Sequence, residues 1–398
     1  MDINFIKSFE VSSFETSSKN KQFLLEYSDR YYQINETLAN LINALKDCED
    51  LNEANDKLKK NNSNNSKISD ENLLKSIIEK KLIPIINDDS KKEKQSSFRF
   101  KTNLISSSKL SPITNRLKFF FNPIIFIFFI SSSLLSILYF IFFAQKAEFH
   151  ADLFSYFNIG LIFFLSVIFH ELGHASASKY YKINHGNIGF AIYLYFPVFF
   201  ADVSRSWLLD RKKRIVIDLG GIYFQIIFLL PLILYYFVNN SSIAYFAIYS
   251  ILISFIYDLN PFFKFDGYWI TSDILGVPNL REKTKEIFTY YYRRCIKNEK
   301  TKEPFLLELK NREKFFFFFY FVLSNLFFGY IFLYRIPLYL LDFLRTYPYE
   351  LVEFINNFNG NSFPGYQEIN LILSKFFIGV LLIYFCYNTL KRIINIKL

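Results

Sequence analysis

Two histidines four residues apart, with a glutamate directly after the first, are the residues of this chain best suited to chemistry: His170-Glu171-Leu172-Gly173-His174. On a helix, positions i and i+4 stack on one face, so both imidazoles can offer a nitrogen to one cation. Glu171 projects beside them and can act as general base on a metal-bound water, as in hydrolytic zinc sites. The setting sharpens this reading, because Phe154 to Phe169 carries no charged residue. Ionisable groups at membrane depth are costly and mark sites.

The elements that must position these residues are membrane spans. The chain has 398 residues, with 51 Phe and 28 Tyr, and a mean hydropathy of +0.16, which is more aromatic and apolar than a soluble chain of this length needs. We expect an all-α polytopic membrane protein of about six transmembrane helices. These are Phe119 to Gln145, Phe154 to about Tyr180, a hairpin of two spans within Leu219 to Tyr257 broken at Asn239-Asn240-Ser241-Ser242, Phe315 to Tyr334, and Ile369 to Leu390, with Lys375 extending its amine outward. Gly186 to Ala201 is apolar but too short to span, and is expected as a re-entrant or β-like element lining a cavity.

The net charge of +10 lies in segments flanking the spans, as the positive-inside rule requires, so the partner is the lipid bilayer and not nucleic acid. Arg116, Lys118, Lys179, Lys182, Arg205, Arg211 to Arg214, the basic residues from Arg281 to Lys314, and Lys391-Arg392 fall on one side. Loops 146–153, 239–242 and 335–370 on the other side are poor in Lys and Arg. This predicts a multi-pass protein of the cell membrane with cytosolic N- and C-termini. Met1 to Asn20 has no apolar core, so no secretory signal peptide is expected. Cys48, Cys295 and Cys386 share no close spacing and read as free thiols.

Residues 1–90 read as a small soluble unit. Phe23-Leu24-Leu25 and Tyr31 to Ile34 form a hairpin, and Asn35 caps a helix whose apolar face is Leu38, Leu41, Ile42 and Leu45. Two further helices are expected, from Asp50 to Lys60 and from Ser69 to Leu82, giving a winged-helix-like α+β domain. Residues 91–118 read as a basic linker, and 119–398 as the transmembrane domain.

A catalytic zinc takes three protein ligands and leaves a position open. His150 and His185 fall outside the spans, so a carboxylate is the expected third ligand, with Asp202, Asp218, Asp258 and Asp266 as candidates. His170 lies about 25 Å below the outer end of the second span, and Ile243 to Asp266 covers about 35 Å if helical. Pro261 breaks that helix and returns Asp266 to a similar depth. Depth alone leaves Asp218 and Asp258 open.

Asn260-Pro261-Phe262-Phe263-Lys264-Phe265-Asp266-Gly267 is similar to the Asn-Pro…Asp-Gly signature of the site-2 protease family of intramembrane zinc peptidases. His170 to Ala175 matches that family's first motif, in the same order, and the resemblance covers residues 119–280. It implies His170, His174 and Asp266 as zinc ligands, Glu171 as catalytic base, and Asn260 near the substrate backbone. Asp202-Val203-Ser204, Trp207 and the basic Arg211 to Arg214 resemble a branch associated with ribosomally made, modified peptides. Residues 1–90 resemble PqqD-like domains that hold leader peptides.

The expected function is therefore a membrane-embedded zinc metalloprotease acting on a peptide or membrane-protein substrate in peptide maturation or leader removal, with a peptide exporter as a further partner. The alternative is a non-proteolytic peptide-binding maturation or export factor that retains the metal site. Four histidines are too few for a His-rich di-iron oxygenase, and one paired helix makes a poor metal-transport path.

Overall fold

The computed structural model describes residues 4–28, 30–46, 48, 82–83, 98–148, 152–193, 196–299, 303–359 and 365–397. They fall into two compact units, Met1–Ala147 with Ile159–Phe317, and Glu148–Asn158 with Phe318–Leu398.

The first unit begins with a small α+β body. Strands β1 (Glu10–Phe14), β2 (Gln22–Tyr27) and β3 (Arg30–Asn35) form an antiparallel sheet in that order. Leu25 pairs with Tyr32 on one side and Val11 on the other. Asn35 Oδ1 accepts the Leu38 N–H at 3.0 Å and opens helix α1 (Glu36–Lys46), as the capping reading requires. Leu38, Leu41, Ile42 and Leu45 turn inward against Ile6, Phe9, Leu25 and Ile34. Strand β1 escaped the sequence reading because Glu-Val-Ser-Ser-Phe alternates weakly, and its pairing with β2 supplies the strand. The two further helices expected over 50–82 lie outside the described residues, apart from Leu82.

The segment read as a linker contains a strand and a helix. Strand β4 (Phe98–Ile105) pairs antiparallel with β5 (Ile188–Tyr193), which pairs with β6 (Phe196–Ala201). Helix α2 (Ser107–Leu117) follows β4. Phe98-Arg99-Phe100-Lys101 does alternate with period two, but flanking Ser and Lys masked it. Gly189 permits the close pairing, since a Cβ there would overlap the Thr102 carbonyl oxygen and the Phe200 ring. The Gly186 to Ala201 segment is thus a β-hairpin within a three-stranded sheet.

Among the described residues, five helices are long and apolar enough to cross a membrane, and Ser242–Asp258 is a shorter apolar one. Helices α3 (Pro123–Phe143), α4 (Leu153–Tyr180), α5 (Arg211–Asn239) and α6 (Ser242–Asp258) follow in order. Pro123 occupies the first turn of α3, where its missing N–H costs nothing. The expected break between α5 and α6 is Asn240, which is left-handed at φ 48°, and Ser241, whose Oγ accepts the Ala244 N–H. Ile137 and Phe140 of α3 pack with Leu229, Ile233 and Tyr236 of α5 and Ile248 and Ile251 of α6. Gly173 and Gly220 bring α4 and α5 into backbone contact, because a Cβ on Gly173 would overlap the Gly220 carbonyl. Helices α7 (Asp266–Leu275) and α8 (Leu280–Ile296) complete the part of this unit that concerns the site.

In the second unit the helical path does not stop at Tyr334. Helix α9 (Asn311–Gly329), which starts in the first unit, continues through a π-helical stretch (Tyr330–Arg335) into α10 (Ile336–Asn359). Residues 335–359 were expected as loop. They form an amphipathic helix whose apolar positions, such as Leu341 and Leu344, recur at helical spacing and were hidden by interspersed charges. Lys375 of α11 (Tyr366–Lys397) was expected to extend outward. Its amine instead donates to both carboxylate oxygens of Glu350, at 2.6 and 2.7 Å.

Candidate metal centre

One face of α5 organises the site. Arg214, Ile217, Gly221 and Gln225 follow at spacings of three, four and four, so they share a face turned toward α4 and α7. His170 and His174 lie one turn apart on α4 and are both buried. His174 Nδ1 donates to the Ile217 carbonyl at 2.8 Å, and His170 Nδ1 donates to Gln225 Oε1 at 3.0 Å. Each Nδ1 therefore carries the proton, and each Nε2 turns a lone pair into the same space. The two Nε2 atoms are 3.0 Å apart. Gly221 makes the room, since any Cβ there would overlap both Nε2 atoms.

Asp266 closes the triangle from the first position of α7. Its Oδ2 stands 3.0 Å from His170 Nε2 and 3.3 Å from His174 Nε2. Among the described residues, that buried oxygen has no hydrogen-bond donor. Three electron-rich atoms at this separation repel one another unless a cation lies among them. A tetrahedral zinc 2.0–2.1 Å from each ligand would hold them about 3.3 Å apart, so the donor set fits that ion in type and spacing. Pro261 and Gly267 build the approach. The chain leaves α6, turns at 260–265 and enters α7 so tightly that a Cβ on Gly267 would overlap the Leu259 carbonyl.

A cavity of about 590 Å³ opens onto the triangle. Glu171 lines it, buried and next to the Ala201 backbone N–H on β6. Pro197 to Ala201 of β6 form one wall, and Phe163, Phe164 and Phe265 supply apolar surface. At the far end Trp207 and Trp269 meet edge to face at 5.9 Å. Arg214 there pairs with Asp273 through two hydrogen bonds to Oδ1, at 2.9 and 2.7 Å. Burial still holds the Asp273 carboxyl above the usual aspartate range, outweighing the pull of Arg214. Burial, with repulsion from Arg281, also lowers the Lys264 ammonium at the rim.

The structure brings His170, His174, Glu171 and Asp266 to one cavity. Asp202, Asp218 and Asp258 also line it, but His170, His174 and Asp266 form the compact group. Asp202 Oδ1 is engaged by the Ser204 N–H and hydroxyl. Asn260 Oδ1 accepts the N–H groups of Phe262 and Phe263, at 2.8 and 3.4 Å, and so shapes the turn before Asp266. His185 is a partner of Thr114, with 2.9 Å from Nε2 to Oγ1, and His150 lies outside the described residues. Sequence reasoning missed Gly221, Gln225 and the Arg214–Asp273 pair. A glutamine inside an apolar span was the available signal for Gln225.

No protein-family model and no solved structure matches the chain. It is 26% identical over 121 residues to a Bacillus subtilis (strain 168) protein named "Putative peptide zinc metalloprotease protein YydH", a match covering 30% of this chain and 48% of that protein. The chain thus spans about half the length of the curated relative it matches.

Proposed function

We propose that this protein is a multi-pass zinc metalloprotease of the site-2 type, hydrolysing peptide bonds at the level of the membrane. The observation that carries the reading is the triangle of His170 Nε2, His174 Nε2 and the donorless Asp266 Oδ2, with Glu171 in the same cavity. Zinc held there would lower the pKa of a water and polarise a peptide carbonyl. Glu171 is the base that takes the proton as water attacks, and it returns that proton to the leaving amine. Gln225 and the Ile217 carbonyl keep both histidines in the ligating tautomer throughout. The apolar walls exclude bulk water and favour apolar side chains flanking the scissile bond.

The outer edge of β6 borders the cavity, and β6 ends the sheet order β4-β5-β6. An extended substrate adding there as a strand would present unshielded peptide bonds to Glu171, which a helical substrate cannot do. We assign the protein to maturation or leader removal of a modified peptide, with Asn260 contacting the substrate backbone. The N-terminal unit would hold the leader along β3, the last strand of the order β1-β2-β3, and both termini would face the cytosol. Purified protein should contain one zinc per chain and cleave a co-expressed precursor, losing cleavage on chelation and regaining it with zinc. Retained zinc without cleavage of any neighbouring precursor would favour the peptide-binding, non-proteolytic reading instead.

A further inference from the structure

Arg214 occupies a socket built by three separate parts of the first unit. It is 3% exposed, at a depth where an unpaired charge would be costly. Its Nε and Nη2 donate to Asp273 Oδ1 on α7. Its Nη1 donates to the Leu209 carbonyl at 2.8 Å, and Nη2 reaches the Glu15 carbonyl at 3.4 Å. The guanidinium lies over the rings of Phe14, at 5.1 Å, and Trp207, at 5.6 Å. The chain just beyond β1 is pinned beside it. Glu15 Oε2 accepts the Arg211 N–H at 2.9 Å, Ser17 Oγ accepts from Arg211 Nη1 at 2.6 Å, and the Ser17 N–H donates to the Gly276 carbonyl at 2.9 Å.

These contacts converge on α7. Asp266 begins that ten-residue helix, Asp273 lies two turns further on, and Gly276 caps it in the left-handed region at φ 64°. A rigid helix held at Asp273 and Gly276 fixes where Asp266 stands, about 10 Å along its axis. The other end of the triangle is fixed by the same face of α5 that carries Arg214, through Ile217, Gly221 and Gln225.

We propose that Arg214 is a positioning residue for the metal-site carboxylate, and that Phe14–Ser17 completes the socket that holds it. Docking of the N-terminal unit thereby sets α7 against the two histidines. The N-terminal unit is then part of the metal site's support as well as a peptide holder. This proposal rests on the metalloprotease reading.

The test uses the full chain in detergent, as wild type, Arg214→Met, Arg214→Lys and Phe14→Ala. It reads zinc per chain, the rate of zinc loss to EDTA, and emission from the two tryptophans, Trp207 of the socket and Trp269, which meets Trp207 edge to face. Monodisperse Arg214→Met should lose zinc about 10- to 100-fold faster than wild type, the range typical when a ligand's support is removed. Arg214→Lys, which keeps the charge but not the fork, should fall between them. Phe14→Ala should shift tryptophan emission and hasten zinc loss to a smaller degree. Zinc loss at the wild-type rate in monodisperse Arg214→Met overturns the proposal. Should that variant fail to fold, Phe14→Ala decides: faster loss supports the proposal and the wild-type rate overturns it. A wild-type chain that binds no zinc overturns the metalloprotease reading and this proposal with it. A zinc-loaded wild type beside unmoved variants overturns this proposal alone.

Discussion

Gln225 Oε1 stands 3.0 Å from His170 Nδ1, a polar link between α4 and α5 beside the one from His174 Nδ1 to the Ile217 carbonyl. By accepting the Nδ1 proton it commits the opposite nitrogen to the cation. Gln225→Leu should therefore weaken zinc binding by about 10- to 100-fold, whereas Gln225→Glu keeps an acceptor and should hold zinc far better. Competition against a chromogenic chelator measures both, and equal affinities in Gln225→Leu and wild type would show the link to be idle.

Space matters as much as bonding at Gly221, where an added methyl would overlap the Nε2 atoms of His170 and His174. Gly221→Ala should bind little or no zinc while still inserting and purifying. Gly160→Ala, on the same helix as the histidines but with open space around it, should bind zinc normally. Metal analysis of the two proteins side by side separates a local clash from general intolerance of glycine replacement.

Much of this centre was legible in the sequence because His170, His174 and Asp266 come from two short local patterns. A helix repeats every 3.6 residues, so His170 and His174 had to share a face. Pro261 and Gly267 had to bend the chain around Asp266. What was not legible depends on contacts distant in sequence. Gln225 meets His170 across 55 positions, and Arg214 meets Asp273 across 59. Strand β4 was read as linker because its partner, β5, begins more than 80 residues later. Depth alone left Asp218 and Asp258 beside Asp266 as candidates; the Asn260 to Gly267 pattern pointed to Asp266, which the packed chain groups with both histidines.

Loop charge predicts the orientation, and labelling tests it. A cysteine introduced at Asn240, in the turn between α5 and α6, should react with an impermeant maleimide added outside intact cells. The native Cys295, which is exposed on α8, should react only after the membrane is opened. The opposite pattern would invert the topology.

Acid should loosen the junction between α2 and the β-hairpin. His185 is buried, donates from Nδ1 to the Gly186 carbonyl, and accepts at Nε2 from the Thr114 hydroxyl. Burial holds its imidazole below the ordinary histidine value. Its folded pKa is lower than its unfolded one, so stability is full above about 6.5 and is lost as pH falls below that value. The thermal midpoint of the full chain should drop from about pH 7.5 to about pH 5.5, and His185→Gln should flatten that dependence. An unchanged slope in the variant would place the acid sensitivity elsewhere.

The choice of carboxylate is separable from the choice of base. Asp266→Ala should purify without zinc, while Asp218→Ala and Asp258→Ala should retain it, because Asp266 is the aspartate grouped with both histidines. Stoichiometric zinc in Asp266→Ala would move the third ligand to another of the cavity's acids.

The most direct measurement of the central claim is zinc content and peptide cleavage in one preparation of Glu171→Gln. That change removes the base and leaves His170, His174 and Asp266 untouched. Zinc should remain at the wild-type level while cleavage of the co-expressed precursor falls by at least about 100-fold, the scale of general-base catalysis. Full cleavage by a zinc-loaded Glu171→Gln protein would contradict the account.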